Sequence, residues 1–192
     1  MAIIKQTKNH QPIAICGASQ SQGGQQFAPL SHQICLKQYS GVVSFDSNKK
    51  IITVRSGTTW DEIHQVINPH GLAVAAMQSS IDFTVGGSIA ANIHGRQIAT
   101  STINTTIHSL RILLADGSIK VVSPTEFSEI FYSVIGGYGL IGIVLEATLQ
   151  LIDNESLEQT ITILPVEKLP NYFLNLKKTD SNLRLFAARL SI

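Results

Sequence analysis

Long apolar runs, cysteine and net charge are all scarce in this sequence, and each scarcity removes a class of protein. No stretch approaches the ~18–20 apolar residues that a membrane helix needs. The longest, around Leu140–Leu145, is bounded by glycine and by Glu146. The N-terminus lacks the basic-then-apolar profile of a secretory signal, so a cytoplasmic chain is expected. Cys16 and Cys35 are the only cysteines and stand in no CxxC pattern, which argues against a disulfide scaffold and a cysteine-based zinc site. They read as reduced core thiols, with a single bridge between them as the alternative. His10, His32, His64, His70 and His108 share no ligand spacing with a carboxylate or cysteine, so no metal is expected. With 14 Lys+Arg against 13 Asp+Glu, the net charge of +1 is too small for binding nucleic acid by bulk electrostatics. Charged residues make up only 14% and apolar ones 44%, which excludes a disordered chain and allows a real core.

Glycine is not scarce, but its placement is uneven. Of 14 glycines, ten fall in three short stretches: Gly17, Gly23 and Gly24; Gly86, Gly87 and Gly95; Gly136, Gly137, Gly139 and Gly142. An average content placed this way points to local backbone demands rather than to flexibility.

Between these stretches the sequence predicts alternating elements. Residues 2–9 read as the end of a helix, and Ile13–Cys16 as a buried strand. Short strands are expected at 33–36, 42–45 and 51–54. Thr59 and Glu62 form a capping box ahead of Trp60, Ile63, Val66 and Ile67 at helical spacing, and Pro69 and Gly71 stop that helix. A strand follows at 72–77. Leu110–Val122 reads as a hairpin about Asp116-Gly117, a pair suited to a type I′ turn. Ser123, Pro124 and Glu126 resemble a second capping box for a helix over 125–134. Residues 141–151 alternate, with Ile141, Ile143, Leu145, Ala147, Leu149 and Leu151 on one face. Asp153–Ser156 is a polar linker, followed by an expected strand at 159–164, a helix at 166–176 and a strand at 183–191. Arg111 and Lys120 read as solvated charges of the hairpin.

The glycine stretches carry the candidate chemistry. Gly17-Ala18-Ser19-Gln20-Ser21-Gln22-Gly23-Gly24 follows a buried strand and offers amide N–H groups, two hydroxyls and amide side chains, with no acid. Such a loop can cradle a pyrophosphate, and it can equally be an ordinary polar surface loop. It is neither a Walker A loop nor a G-x-G-x-x-G fingerprint. The stretch Thr84–Gly95 (TVGGSIAANIHG) and the stretch GGYGLIGIV from Gly136 each fit close approach to a flat ligand or tight packing against a sheet.

Taken in order, these stretches, with the LLADGSIKVVSP hairpin, resemble the FAD-binding domain of the vanillyl-alcohol oxidase / p-cresol methylhydroxylase-type (PCMH-type) flavoproteins. The motifs are similar to those of the decaprenylphosphoryl-ribose oxidase, sugar-lactone oxidase and alditol oxidase branches. The resemblance covers about residues 2–152. It implies an α+β fold: a first FAD-binding subdomain at 1–40 whose N-terminal strand is missing, a second at 41–152, and the start of a substrate (cap) domain at 153–192.

The resemblance also implies FAD contacts. They fall on Gly17, Ala18, Ser19, Gln20, Ser21, Gln22, Gly23 and Gly24 in the first loop, and on Ser79, Thr84, Val85, Gly86 and Gly87. His94, Gly95, Arg96 and Gln97 follow, and Val144 reaches the adenine end. Several family members attach FAD through a histidine of the first loop; Gln20 stands there in this chain, so non-covalent FAD is expected. Asn104 stands near a glycine of many relatives. The activity implied is FAD-dependent oxidation of a sugar- or polyol-type hydroxyl by hydride transfer to flavin. A flavin-binding module without turnover, or one whose substrate domain comes from a second chain, is the alternative. A nicotinamide-binding Rossmann enzyme lacks its fingerprint here.

Overall fold

The computed structural model describes residues 12–190, so the helix expected at 2–9 lies outside the described residues. Two sheets organise the chain. β1 (Ile13–Cys16) and β2 (His32–Cys35) form a two-stranded parallel sheet, with Ile13 opposite His32 and Cys16 opposite Cys35. The second sheet is built on β8 (Ile143–Asp153). Its order is β3 (Val42–Asp46), β4 (Ile51–Arg55), β8, β6 (Ile107–Leu113), β7 (Ile119–Val122), and β5 (Leu72–Val74) pairs with the far end of β8. β4, β5 and β6 all run antiparallel to β8.

Helices α1 (Trp60–Ile67), α2 (Val85–Ala90) and α3 (Ser128–Val134) contribute to the single core of this sheet. That core gathers Ile52 and Val54 of β4, Trp60, Ile63 and Ile67 of α1, Val85 and Ile89 of α2, Leu110 and Ile112 of β6, and Phe131 of α3, all fully buried. The α+β fold expected from the sequence is therefore the fold observed. No helix among the described residues is long and apolar enough to cross a membrane.

The capping box of α1 forms as expected: the Glu62 amide donates to Thr59 Oγ1 at 3.3 Å, and the Thr59 amide donates to Glu62 Oε2 at 2.7 Å. Two of the four amides left over at a helix start are satisfied in this way. Pro69 lies in a 3₁₀ turn at Asn68–His70, which Gly71 closes in the left-handed conformation.

Several expectations are corrected. The Asp116-Gly117 hairpin does not use a type I′ turn, because only Gly117 has positive φ (82°). The Gly117 amide donates to Leu114 O and the Leu114 amide to Ser118 O, the pattern of a type I turn closed by a left-handed glycine. Asp116 takes the Ser118 amide at 2.8 Å, and the Ser118 side chain first, then this amide, hold its carboxyl below the ordinary range.

Ser123 does not cap α3. Its Oγ accepts from the Glu126 amide within a tight turn, and the helix begins only at Ser128, behind Phe127 at φ 50°. In β8, Glu146 pairs with Arg111 but Val144 pairs with Ile112, so Leu145 is an extra residue on its strand. That bulge exchanges the faces. Ala147, Leu149 and Leu151 are buried as expected, but Val144 enters the core in place of Leu145, and Ile141 is exposed.

The segment 159–164 forms no strand. Among the described residues no strand pairs with it, and Ile161 and Ile163 are 78% and 97% exposed. Helix α4 (Leu169–Thr179) follows, and the strand expected over 183–191 reduces, within the described residues, to one bridge between Gln97 and Leu185. Arg111 is not simply solvated either: its Nη1 donates to Glu146 at 2.9 Å across β6 and β8.

Two outcomes follow for stability. Thr59→Ala should lose about 1 kcal/mol, read as a lower urea midpoint at unchanged slope. Burial lowers the pKa of His64 on α1, against an opposing pull from Asp61. A histidine held neutral in the folded state binds fewer protons than its unfolded counterpart. Stability is therefore complete above the ordinary histidine pKa and falls as pH drops through and below it. His64→Gln should flatten the stability profile between about pH 7.5 and 5.5 relative to the parent chain.

Candidate functional site

One cleft of about 80 Å³ draws its walls from all three glycine stretches. The end of β1 supplies Cys16 and Gly17, the start of α2 supplies Thr84, Gly86 and Gly87, and the loop into β8 supplies Tyr138, Gly139, Gly142 and Val144. Ser56, at the end of β4, forms part of the same wall. No lining residue is charged.

The walls meet closely because the backbone leaves no room for side chains. A Cβ on Gly86 would stand 2.8 Å from Ser56 Cβ and 3.0 Å from Ser56 O, and a Cβ on Gly17 would overlap Thr84 Oγ1. The Gly86 amide donates to Ser56 O at 2.8 Å, which fixes that approach. For the second stretch, then, close backbone packing is present, and the same packing forms a wall of the cleft.

The position of α2 is set by a backbone joint with α1. The Trp60 amide donates to Phe83 O at 3.2 Å and the Val85 amide to Thr58 O at 2.8 Å, so the two helix starts are bridged through Thr59 and Thr84. Behind the joint, the Trp60 indole N–H reaches Gln78 Oε1 at 3.0 Å and Ser88 Oγ at 3.1 Å, and Ser88 Oγ donates to Gln78 Oε1 at 3.0 Å. Trp60 and Ser88 are buried, so this triangle satisfies polar atoms that would otherwise be costly.

Of the residues expected at the site, Gly17, Thr84, Gly86, Gly87 and Val144 line the cleft. Ala18, Ser19, Gln20, Ser21, Gln22, Gly23 and Gly24 lie on the connection from β1 to β2, mostly exposed, outside the cleft wall. Ser79 is exposed on the loop next to Gln78. Val85 is fully buried in the core and its amide is committed to Thr58, so it presents neither group to the cleft.

His94 is exposed, with Nδ1 3.1 Å from Gly95 O. Arg96 and Gln97 are drawn into pairing with residues 184–186: the Phe186 amide donates to Arg96 O and the Ile98 amide to Arg184 O, each at 3.0 Å. Arg184 is in turn held by both carboxylate oxygens of Glu155, which raises its pKa. Asn104 sits in a 3₁₀ turn, where Thr102 Oγ1 donates to its side chain at 2.6 Å, and does not use the left-handed conformation. No group of three metal-ligating side chains occurs among the described residues.

Ser56 and Tyr138 also line the cleft and are not among the residues expected from the sequence. Ser56 is 1% exposed, and its Oγ has no hydrogen-bond partner. An orphaned buried hydroxyl in a cleft wall is a costly arrangement unless something else completes it. The available signal was a polar residue directly after a buried strand and before a glycine.

Residues 2–123 match the family described as FAD binding domain, and the chain belongs to that family. It is 31% identical over 115 residues to decaprenylphosphoryl-beta-D-ribose oxidase of Mycolicibacterium smegmatis, covering 59% of this chain and 25% of that protein. It is 30% identical over 140 residues to L-gulonolactone oxidase of Bos taurus, covering 72% of this chain and 32% of that protein. It is also 28% identical over 106 residues to alditol oxidase of a Streptomyces species, covering 55% and 25% respectively. The matches thus span about a quarter to a third of the length of these relatives.

FAD is the cofactor of the family, and the neutral, glycine-walled lining has the chemistry to take one part of it. An uncharged, glycine-walled cleft lets a dinucleotide approach the backbone closely, and the Ser56 hydroxyl is free to bond it. Gly86→Ala should cost about 1–3 kcal/mol by forcing α2 away from Ser56, measured as a lower thermal or urea midpoint without ligand.

Proposed function

We propose that the chain is the cofactor domain of an FAD-dependent oxidoreductase acting on a sugar- or polyol-type hydroxyl. The observation that carries this reading is the convergence of three sequence-distant glycine stretches on one uncharged cleft with an orphaned serine hydroxyl. The oxidases for a decaprenylphosphoryl ribose, a gulonolactone and alditols among its relatives favour a polyhydroxylated substrate. FAD, when bound, supplies the acceptor for a hydride and so performs the redox step.

The chain's own residues bind and orient. Gly17, Gly86 and Gly87 let the backbone come against the cofactor, Ser56 Oγ donates to it, and Val144 bounds the cleft from β8. The connection from Ala18 to Gly24 wraps the pyrophosphate with amides and the Ser19 and Ser21 hydroxyls. Ser79, His94, Gly95, Arg96 and Gln97 extend the contact surface toward the flavin end. Gln20 offers no imidazole for a covalent link, so FAD is held non-covalently. The division at 1–40, 41–152 and 153–192 follows the change of sheet between Cys35 and Val42 and the end of β8 at Asp153. Residues 153–192 begin the substrate side, to which a second polypeptide can contribute.

Adding FAD to the purified chain should give a shifted flavin absorption band, and acid precipitation should release the flavin intact. Candidate polyols and sugar lactones should then bleach the band under anaerobic conditions. No retention at micromolar FAD would overturn the reading; retention without bleaching by any of them would favour a flavin-binding module. Ser56→Ala should leave the ligand-free chain at least as stable as before, because an unpaired buried hydroxyl is removed, and weaken FAD binding by about 0.5–1.5 kcal/mol, the worth of one hydrogen bond. Unchanged affinity in that variant would remove Ser56 from the site.

A further inference from the structure

The two cysteines, far apart in sequence, are brought face to face at the root of the first glycine loop. Cys16 ends β1 and Cys35 ends β2, and they are in-register partners of a parallel pair. Neighbouring strands lie about 4.8 Å apart and paired residues project to the same side. That spacing falls within the ~4.4–6.8 Å between Cα atoms that a disulfide tolerates. Both thiols are free, and they differ in access: Cys16 is buried in the cleft wall, whereas Cys35 is exposed. Burial first, and then the neighbouring Cys35, push the Cys16 thiol pKa up, so the exposed partner is the better nucleophile. The Cys35 thiol also points toward Gly17 O at 3.9 Å, the first glycine of the loop.

We propose that Cys16 and Cys35 form a redox-active dithiol that a hydroperoxide closes to a disulfide, joining both ends of the 17–34 connection and altering the cleft wall. In the first step the Cys35 thiolate attacks the peroxide oxygen, the O–O bond breaks, and a sulfenic acid and hydroxide result. In the second, Cys16 sulfur displaces the sulfenic oxygen; the S–S bond forms and water leaves. In sum, two thiols and one hydrogen peroxide give one disulfide and two waters. The new bond requires sulfurs about 2 Å apart. It therefore draws the Cys16 side chain out of the cleft wall toward β2 and ends the Cys35 contact with Gly17 O. The effect on cofactor binding rests on the FAD reading above; bond formation does not.

The full chain, with and without FAD, is treated with hydrogen peroxide, alkylated under denaturing conditions without reductant, digested and weighed by mass spectrometry. The expected product is one peptide pair linked through Cys16 and Cys35 within a monomer, reversed by dithiothreitol. Cys35→Ser, a change at an exposed position, should leave Cys16 reduced. Peroxide that converts Cys35 to sulfinic acid with Cys16 still free, links two chains through Cys35, or modifies neither thiol overturns the proposal. FAD affinity of the oxidised chain should be several-fold weaker and should recover on reduction. Equal affinity in both states would overturn the effect on the cleft. A chain that forms the disulfide but binds FAD in neither state would refute the cofactor reading and its dependent effect while upholding the dithiol.

Discussion

The joint between the starts of α1 and α2 is the constraint on which the cleft depends. Two backbone hydrogen bonds, from Trp60 to Phe83 and from Val85 to Thr58, fix α2 against the end of β4. With α2 fixed, Gly86 is held against Ser56 and Thr84 against Gly17, which places β1 as well. The Trp60–Ser88–Gln78 triangle guards this arrangement from the core side. A buried indole N–H needs a partner, and here that partner also ties down the loop leading to Thr84. Core packing and site geometry are thus one construction: Trp60 is among the largest fully buried side chains, and its polar edge positions the glycine wall.

Much of this was legible in the sequence because glycine placement records close approach. Gly17, Gly86 and Gly87 stand in the glycine stretches, Thr84 and Val144 are implied by the family resemblance, and all five line one cleft. The box at Thr59 and Glu62 was equally readable, since both partners lie within one turn. What escaped depends on residues distant in sequence. Ser56 gains meaning only when Gly86 and Gly17 arrive beside it. The bulge at Leu145 depends on registration against β6, so alternation counted along β8 alone assigns Val144 and Leu145 to the wrong faces. Ser123 looked like a helix cap because its spacing to Glu126 is right. Phe127, held at positive φ by the turn, delays the helix by several residues.

The segment 159–164 teaches the complementary lesson. Its apolar alternation is that of a strand, yet a strand is a relation between two chains of hydrogen bonds. With no neighbouring strand among the described residues, the segment keeps its apolar residues but forms no ladder, and Ile161 and Ile163 face outward. Pairing of residues 184–186 with 96–98 shows the same region engaging the glycine-rich segment where a partner edge exists.

The central position of β8 has a consequence for how the chain acquires its shape. β3 and β4 form one local hairpin and β6 and β7 another, but β4 and β6 are joined only through β8, which spans residues 143–153. During synthesis both hairpins are complete some twenty residues before the strand that unites them. Until then each presents an unpaired edge, the kind that invites pairing with the wrong chain. The order of emergence therefore makes closure of this sheet a late, long-range event, and it sets the vulnerable interval of folding between the second hairpin and Asp153.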